Sequence, residues 1–150
     1  MKKKIKAGNY IYYYYYDNLK RLVFINVCQG KIFKKKYGDY EFIWESNLLK
    51  AQVSKIEGLG ITERIMYFYD SFNRLIKKEY YNKEILRYTV ILSYKDNENI
   101  PYFMDIKRMS MEFFKTENTN CIMEMINIVG KDFEGSFYLL DLIDKYKQSS

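Results

Sequence analysis

The chain has no histidine, a single proline and only two cysteines, Cys28 and Cys121. The missing histidine excludes Ser-His-Asp and Cys-His nucleophile arrangements, most catalytic zinc sites and imidazole acid–base catalysis. Two distant cysteines without histidine make a poor metal site. They can pair, but a spacing of this kind is more usual for reduced thiols in a cytosolic protein. Neither G-x-x-x-x-G-K-[ST] nor G-x-G-x-x-G occurs. The segment Gly58-Leu59-Gly60-Ile61-Thr62-Glu63-Arg64 carries two glycines but no third and no Lys-Ser/Thr pair, and reads as a loop between strands. No apolar run approaches the roughly 18 residues of a membrane span. Met1-Lys2-Lys3-Lys4-Ile5-Lys6 has the charge of a signal-peptide start, yet tyrosines rather than an apolar core follow it. These absences give the expectation of a cytoplasmic protein that is not an enzyme, with no cofactor, no metal and no membrane partner. A carboxylate pair can still catalyse. With 19 acidic residues some pair falls close by chance, and Asp17 and Asp70 have a turn-forming role that accounts for them.

What the chain has in abundance is aromatic surface. Apolar residues make up 48% of its 150 residues and aromatics 19%, enough for a packed core without metal or disulfide. Its clearest pattern is a repeat. Tyr14-Tyr15-Tyr16-Asp17-Asn18-Leu19-Lys20-Arg21-Leu22 matches Tyr67-Phe68-Tyr69-Asp70-Ser71-Phe72-Asn73-Arg74-Leu75 at five of nine positions. Alternating tyrosines suit a half-buried strand. Each Asp can accept a bond from the backbone two residues on and close a turn. Asn73 falls where the turn needs a left-handed residue. Weaker copies start at Trp44 (Trp44 to Leu48) and Tyr94 (Tyr94 to Ile100). The strand-end aromatics at 16, 44, 69 and 94 are spaced by 28, 25 and 25 residues, the period of an antiparallel meander with two strands per repeat.

The motif resembles the YD repeat of bacterial Rhs-type proteins, Tyr-x-Tyr-Asp-x-x-Gly-Arg-Leu, with Asn73 and Lys20 in the glycine place. Leu75-Ile76-Lys77-Lys78-Glu79-Tyr80-Tyr81-Asn82-Lys83 is similar to MORN-type repeats, without their glycine after Asn82. The resemblance implies meander geometry and an interaction role rather than a reaction.

Alternation assigns faces. Tyr40, Phe42 and Trp44 share one face, with Glu41 and Glu45 on the other. Leu86, Tyr88, Val90, Leu92 and Tyr94 form an apolar face opposite Arg87, Thr89 and Ser93. Leu22 and Phe24 fit one face and Val23, Ile25 and Val27 the other. After Pro101 the period becomes helical. Ile122, Met125, Ile126 and Val129 share a helical face, capped by Thr119 or Asn120 and ended by Gly130. Leu139, Leu142, Ile143 and Tyr146 repeat that spacing, with Lys145 and Lys147 at the negative end of the dipole. Met109, Phe113 and Phe114 suggest a further helix over 107–116. Met123 and Met125 read as core filler or as an adaptable surface, core being favoured. The expected fold is α+β, one domain over 1–150. A basic tail, 1–9, precedes a meander of about eight strands over 10–105, and a helical part, 106–150, packs two or three helices on the sheet.

Charge is uneven. Residues 1–36 carry a net +9 and residues 37–150 a net −3. Lysines cluster at Lys2, Lys3, Lys4 and Lys6 and at Lys34, Lys35 and Lys36, beside the tyrosine strand. Tyr12, Tyr14 and Tyr16 alternate with Tyr13 and Tyr15. One set can join the core, while the other is left near water, where tyrosine is a favoured interface anchor. The candidate contact residues are Tyr13, Tyr15, Lys34, Lys35, Lys36 and Tyr37. The functional expectation is a small binding protein of a bacterium or phage that inhibits a target protein, such as a nuclease or toxin, by covering its functional surface, as an immunity protein or an anti-CRISPR inhibitor does. The alternatives are a nucleic-acid-binding module using the same basic, tyrosine-rich sheet, and a homo-oligomeric structural protein formed by sheet pairing.

Overall fold

The computed structural model describes residues 1–30, 32, 34–127 and 131–148. Ten antiparallel strands form one sheet whose spatial order is the order of the chain. They are β1 (Lys2–Ala7), β2 (Tyr10–Tyr16), β3 (Leu22–Gln29), β4 (Lys35–Glu45), β5 (Leu48–Ile56), β6 (Gly60–Tyr69), β7 (Leu75–Asn82), β8 (Ile85–Ser93), β9 (Phe103–Arg108) and β10 (Met111–Thr116). Helix α1 (Thr119–Ile126), a 3₁₀ turn (Asp132–Glu134) and helix α2 (Ser136–Gln148) follow. The architecture is a meander with two C-terminal helices and is mostly β.

Two segments differ from their sequence reading. Residues 1–9 are no tail: Lys2 to Ala7 pair with Tyr15 to Tyr10 in full register, through a loop at Gly8-Asn9. Gly8 takes a φ of +61°, the left-handed conformation such a short hairpin needs. The segment 107–116 is no helix. Met109 and Ser110 have φ of +49° and +71°, so the chain reverses there and β10 returns along β9. Helical spacing of Met109 and Phe113 is coincidental, because a two-residue turn with both φ positive cannot lie inside an α-helix.

The repeat is visible as one device used three times. Tyr16 faces Leu22, Trp44 faces Leu49 and Tyr69 faces Leu75, each with a register shift that leaves the residue after the leucine unopposed. The shift explains why Leu22 joins Ile25 and Val27 in the core while Phe24 turns to the other face beside Tyr15. Successive units are stitched by the strand-end aromatics. Trp44 donates Nε1–H to the Leu22 carbonyl at 2.9 Å, Tyr69 its hydroxyl to Leu49 at 2.7 Å, and Tyr94 to Leu75 at 2.7 Å. At the turns, Asp17 Oδ1 accepts from the Leu19 and Arg21 amides and Oδ2 from Arg21 Nε. Asp70 does the same with Phe72 and Arg74. Arg21 also reaches the Ser46 carbonyl, and Arg74 those of Lys95 and Glu98, tying each turn to the next. The fourth unit departs from this device, since Ile100 is half exposed and the return strand starts at Phe103.

One face of the sheet carries the core. Ile25, Phe42, Ile65, Tyr80, Tyr88, Val90, Met104 and Ile106 meet Ile122, Met125, Leu139, Leu142 and Ile143 of the helices. Asn118, rather than Thr119 or Asn120, caps α1 by accepting from the Cys121 amide. The expected Val129 and Gly130 lie outside the described residues. Met125 is fully buried and Met123 is 42% exposed, so only the first is core. Inside this interface lies a fully buried ion pair. Lys78 Nζ is 2.7 Å from Asp132 Oδ2 and 2.7 Å from the Met125 carbonyl. Tyr67 donates to Asp132 Oδ2 at 2.8 Å, Tyr80 to Oδ1 at 3.3 Å, and Gln52 to the Asp132 carbonyl at 2.6 Å. The cluster fixes the 3₁₀ turn and the C-terminal end of α1 onto β5, β6 and β7. Among the described residues no helix is long and apolar enough to cross a membrane.

Candidate functional site

Strand alternation, fixed by the β1–β2–β3–β4 register, sorts the tyrosine strand onto two faces. Tyr12, Tyr14 and Tyr16 pack against the core on the helix-covered face. Tyr13 and Tyr15 stand on the open face, each half-buried. Lys4 lies opposite Tyr13, and Lys2 opposite Tyr15. The Lys2 ammonium is 4.5 Å from the Tyr13 ring centre and 5.5 Å from that of Tyr15, and Lys4 is 6.0 Å from Tyr13. Lys34 donates to the Tyr13 hydroxyl at 3.4 Å, and Phe24 packs on Tyr15 with ring centres 5.8 Å apart. The ammonium groups sit against the negative ring faces, an arrangement worth about 0.5–1 kcal/mol per pair at exposed sites. The result is a cationic, aromatic surface beside the outer edge of β1, an end strand whose six residues are all exposed.

Of the six candidate residues the structure brings together Tyr13, Tyr15 and Lys34. Lys36 shares their face but is already ion-paired, 3.3 Å from Asp39 and 4.0 Å from Glu57. Lys35 alternates to the other face, opposite Gln29. Tyr37 is the unopposed residue at the β3–β4 register shift and turns its ring to Tyr10, 5.4 Å away, on the helix-covered face. Lys2, Lys4 and Phe24 complete the surface. The signal that would have found the two lysines is Gly8-Asn9, a hairpin dipeptide that makes a strand of the residues before it.

A second feature lies on the helix-covered face, where the helices stop short of β1 and β2. A recess of about 400 Å³ is lined by Tyr12, Tyr14, Tyr40, Phe133, Glu134 and Phe137. Phe133 anchors it, 6.0 Å from the Tyr12 ring centre and 5.5 Å from that of Tyr40. Burial raises the Tyr12, Tyr14 and Tyr40 hydroxyls, that of Tyr40 to about 12, with neighbouring tyrosines and the Glu134 carboxylate adding to the effect. All three are therefore neutral donors at ordinary pH. A neighbouring recess of about 370 Å³ shares Tyr40, Phe133, Glu134 and Phe137 and extends to Glu63. Burial raises the Glu63 carboxyl, which Ser136 offsets with a hydrogen bond at the start of α2. Sequence reasoning had no route to either recess, because Phe133 lies in a 3₁₀ turn without periodicity and Phe137, exposed at the start of α2, is off the apolar face that Leu139, Leu142, Ile143 and Tyr146 mark.

Among the described residues no group of three or more Cys, Asp or Glu is placed to hold a metal ion. Cys28 and Cys121 are both free thiols.

No family model matches the sequence, and a search among curated proteins gives no match. Among solved structures, a porin-like protein from Bacteroides uniformis aligns over 76% of this chain and 55% of its own, with 9% identity and a TM-score of 0.34. TarM of S. aureus aligns over 87% of this chain and 24% of its own, with 10% identity and a TM-score of 0.30. At these TM-scores the likeness carries no argument about fold or activity.

Proposed function

We propose that the chain is a small non-enzymatic binding protein, of the inhibitor or immunity type, that covers an acidic functional surface of a target protein. The observation that supports this reading is the open-face surface of Lys2, Lys4, Tyr13, Tyr15, Phe24 and Lys34 beside the unpaired edge of β1. Aromatic anchors surrounded by cations suit an anionic protein surface, and a free edge can add a partner strand. The lysine ammoniums occupy the ring faces of Tyr13 and Tyr15, which argues against those rings as stacking platforms for bases. The second reading, nucleic-acid binding, is supported by one feature. Lys2, Lys4 and Lys6 alternate along one face, about 6.7 Å apart at the rise of a strand, so the row can follow a phosphate backbone.

The test is an affinity capture from the source cell under nuclease treatment, with a Lys2→Glu/Lys4→Glu/Tyr13→Ala variant as parallel bait. The expected result is one stoichiometric protein that survives nuclease and is lost with the variant. Recovery of nucleic acid in its place, abolished by nuclease and steeply weakened by salt, overturns the inhibitor reading in favour of the second.

A further inference from the structure

The recess on the helix-covered face has a composition that selects a ligand class. Five of its walls are aromatic, and among the described residues Glu134 is the one charged group lining it. Ile5 and Ala7, projecting from β1 on the same side as Tyr14 and Tyr12, supply the remaining apolar floor. Three tyrosines, two phenylalanines and a carboxylate present a negative potential, from ring quadrupoles and one full charge, around a space of about 400 Å³. Of the neighbouring lysines, Lys3, opposite Tyr14, and Lys35, opposite Gln29, share this face without lining the recess. Lys2, Lys4 and Lys6 lie opposite Tyr15, Tyr13 and Ile11 on the other face. In a chain with a formal charge of +6, the one charged group that lines this aromatic hollow among the described residues is a carboxylate.

We infer that this recess binds a small quaternary ammonium ion of choline size, held by the rings of Tyr12, Tyr14, Tyr40, Phe133 and Phe137 and by the Glu134 carboxylate. The Glu134 carboxylate in the lining disfavours anions. A primary ammonium carries three N–H donors that all need acceptors once they leave water. The acceptors in the lining are the Glu134 carboxylate and the phenol oxygens of Tyr12, Tyr14 and Tyr40, the rest being hydrocarbon, so a primary ammonium must find all three of its partners among these few groups. A quaternary ammonium has no donors to satisfy. Its methyl groups pack on ring faces and on Ile5 and Ala7, while its diffuse charge is met by the rings and Glu134. The site is built from β1, β2 and β4 on one side and from the 3₁₀ turn and α2 on the other. The walls are preformed, because the buried Asp132 beside Phe133 is locked by Lys78, Tyr67 and Tyr80. The inference is independent of the partner surface proposed above, which occupies the opposite face.

The experiment is a titration of the full chain with choline, followed by amide chemical-shift changes and by calorimetry. A parallel titration uses the neutral isostere in which carbon replaces the quaternary nitrogen. Saturable binding in about the millimolar range is expected, with the isostere roughly tenfold weaker. Shifts should centre on residues 5–14, 40 and 132–137. Glu134→Gln and Phe137→Ala, both at exposed positions that leave the core intact, should each weaken choline about three- to tenfold. The proposal is overturned if choline does not saturate, if the isostere binds equally well, or if both variants bind choline as the parent does.

Discussion

At the scale of the residue, the two strong copies of the repeat share a conformation their side chains do not favour. Lys20 and Asn73 both have φ of +63°, at the place where the YD motif carries glycine. Asparagine tolerates this region and lysine does not, so the two should respond differently to the motif residue. Lys20→Gly is expected to raise stability by about 0.5–1 kcal/mol and Asn73→Gly by less, as read from urea midpoints. Gly135 is the converse case. It has φ of +62°, and a Cβ there would collide with the Glu63 carboxylate. Gly135→Ala should therefore destabilise by about 1–2 kcal/mol from backbone strain alone, and move the Ser136 end of α2 away from Glu63. The Lys78–Asp132 pair sets the largest single-residue effects. Removing one partner leaves an uncompensated charge in the core, so Lys78→Met and Asp132→Asn should each cost about 3–5 kcal/mol. Their combination should cost less than the sum of the two, since the double variant buries no lone ion. A double-mutant cycle of denaturation midpoints checks this, and an additive cycle would show that the two groups act separately.

At the scale of the element, the meander was legible because the repeat writes its own punctuation. Asp17 and Asp70 close the turns as their spacing requires, and the aromatics at 44, 69 and 94 mark strand ends. The hydrogen bonds from those aromatics to the leucine carbonyls of the preceding unit were not legible. Nothing in a local sequence says that a Tyr hydroxyl reaches back some twenty residues. The two misread strands have separate causes. Lys2–Ala7 lacks apolar alternation because it is an end strand with every residue exposed, and charged end strands are how open sheets resist pairing with other chains. The β9–β10 hairpin turns on Met109-Ser110, which carries no turn signature although both φ are positive. For the same reason Asn-Gly at 109–110 should stabilise the hairpin by about 1 kcal/mol, since those residues accept the required φ without strain. Tyr69→Phe and Tyr94→Phe each delete one inter-repeat bond and should cost about 1 kcal/mol. Of the candidate site, Tyr13, Tyr15 and Lys34 were legible from alternation and charge. Lys35, Lys36 and Tyr37 were not separable in sequence, because a one-residue register shift at Val27/Cys28 redistributes them between faces.

At the scale of the whole molecule, 17 tyrosines and no histidine fix how the fold answers to pH. No imidazole titrates between acid and base, so stability should be nearly flat from about pH 6 to 9. The alkaline side is different. Burial raises Tyr67 and Tyr80 well above 10.0, where the neighbouring Asp132 charge adds to it, and raises Tyr40, Tyr69 and Tyr94 to about 12. In the unfolded chain these phenols ionise near 10.0. Above that pH the unfolded state sheds protons that the folded state retains, so each contributes stability that is complete below 10 and is lost as pH rises from there toward its folded value. Each phenol held neutral while its unfolded counterpart ionises steepens the fall by up to ~1.4 kcal/mol per pH unit. Lys78 opposes them. Burial depresses it below 10.5, so between its folded value and 10.5 the unfolded chain holds more protons and stability rises with pH. One lysine against five such tyrosines sets the sign of the total above pH 10. Urea midpoints should hold to about pH 9 and then collapse within roughly two units, while tyrosinate absorbance appears in a slow phase that tracks unfolding. If all 17 phenols titrate reversibly near pH 10 with the midpoint unchanged, the tyrosines are not buried in the sheet as described.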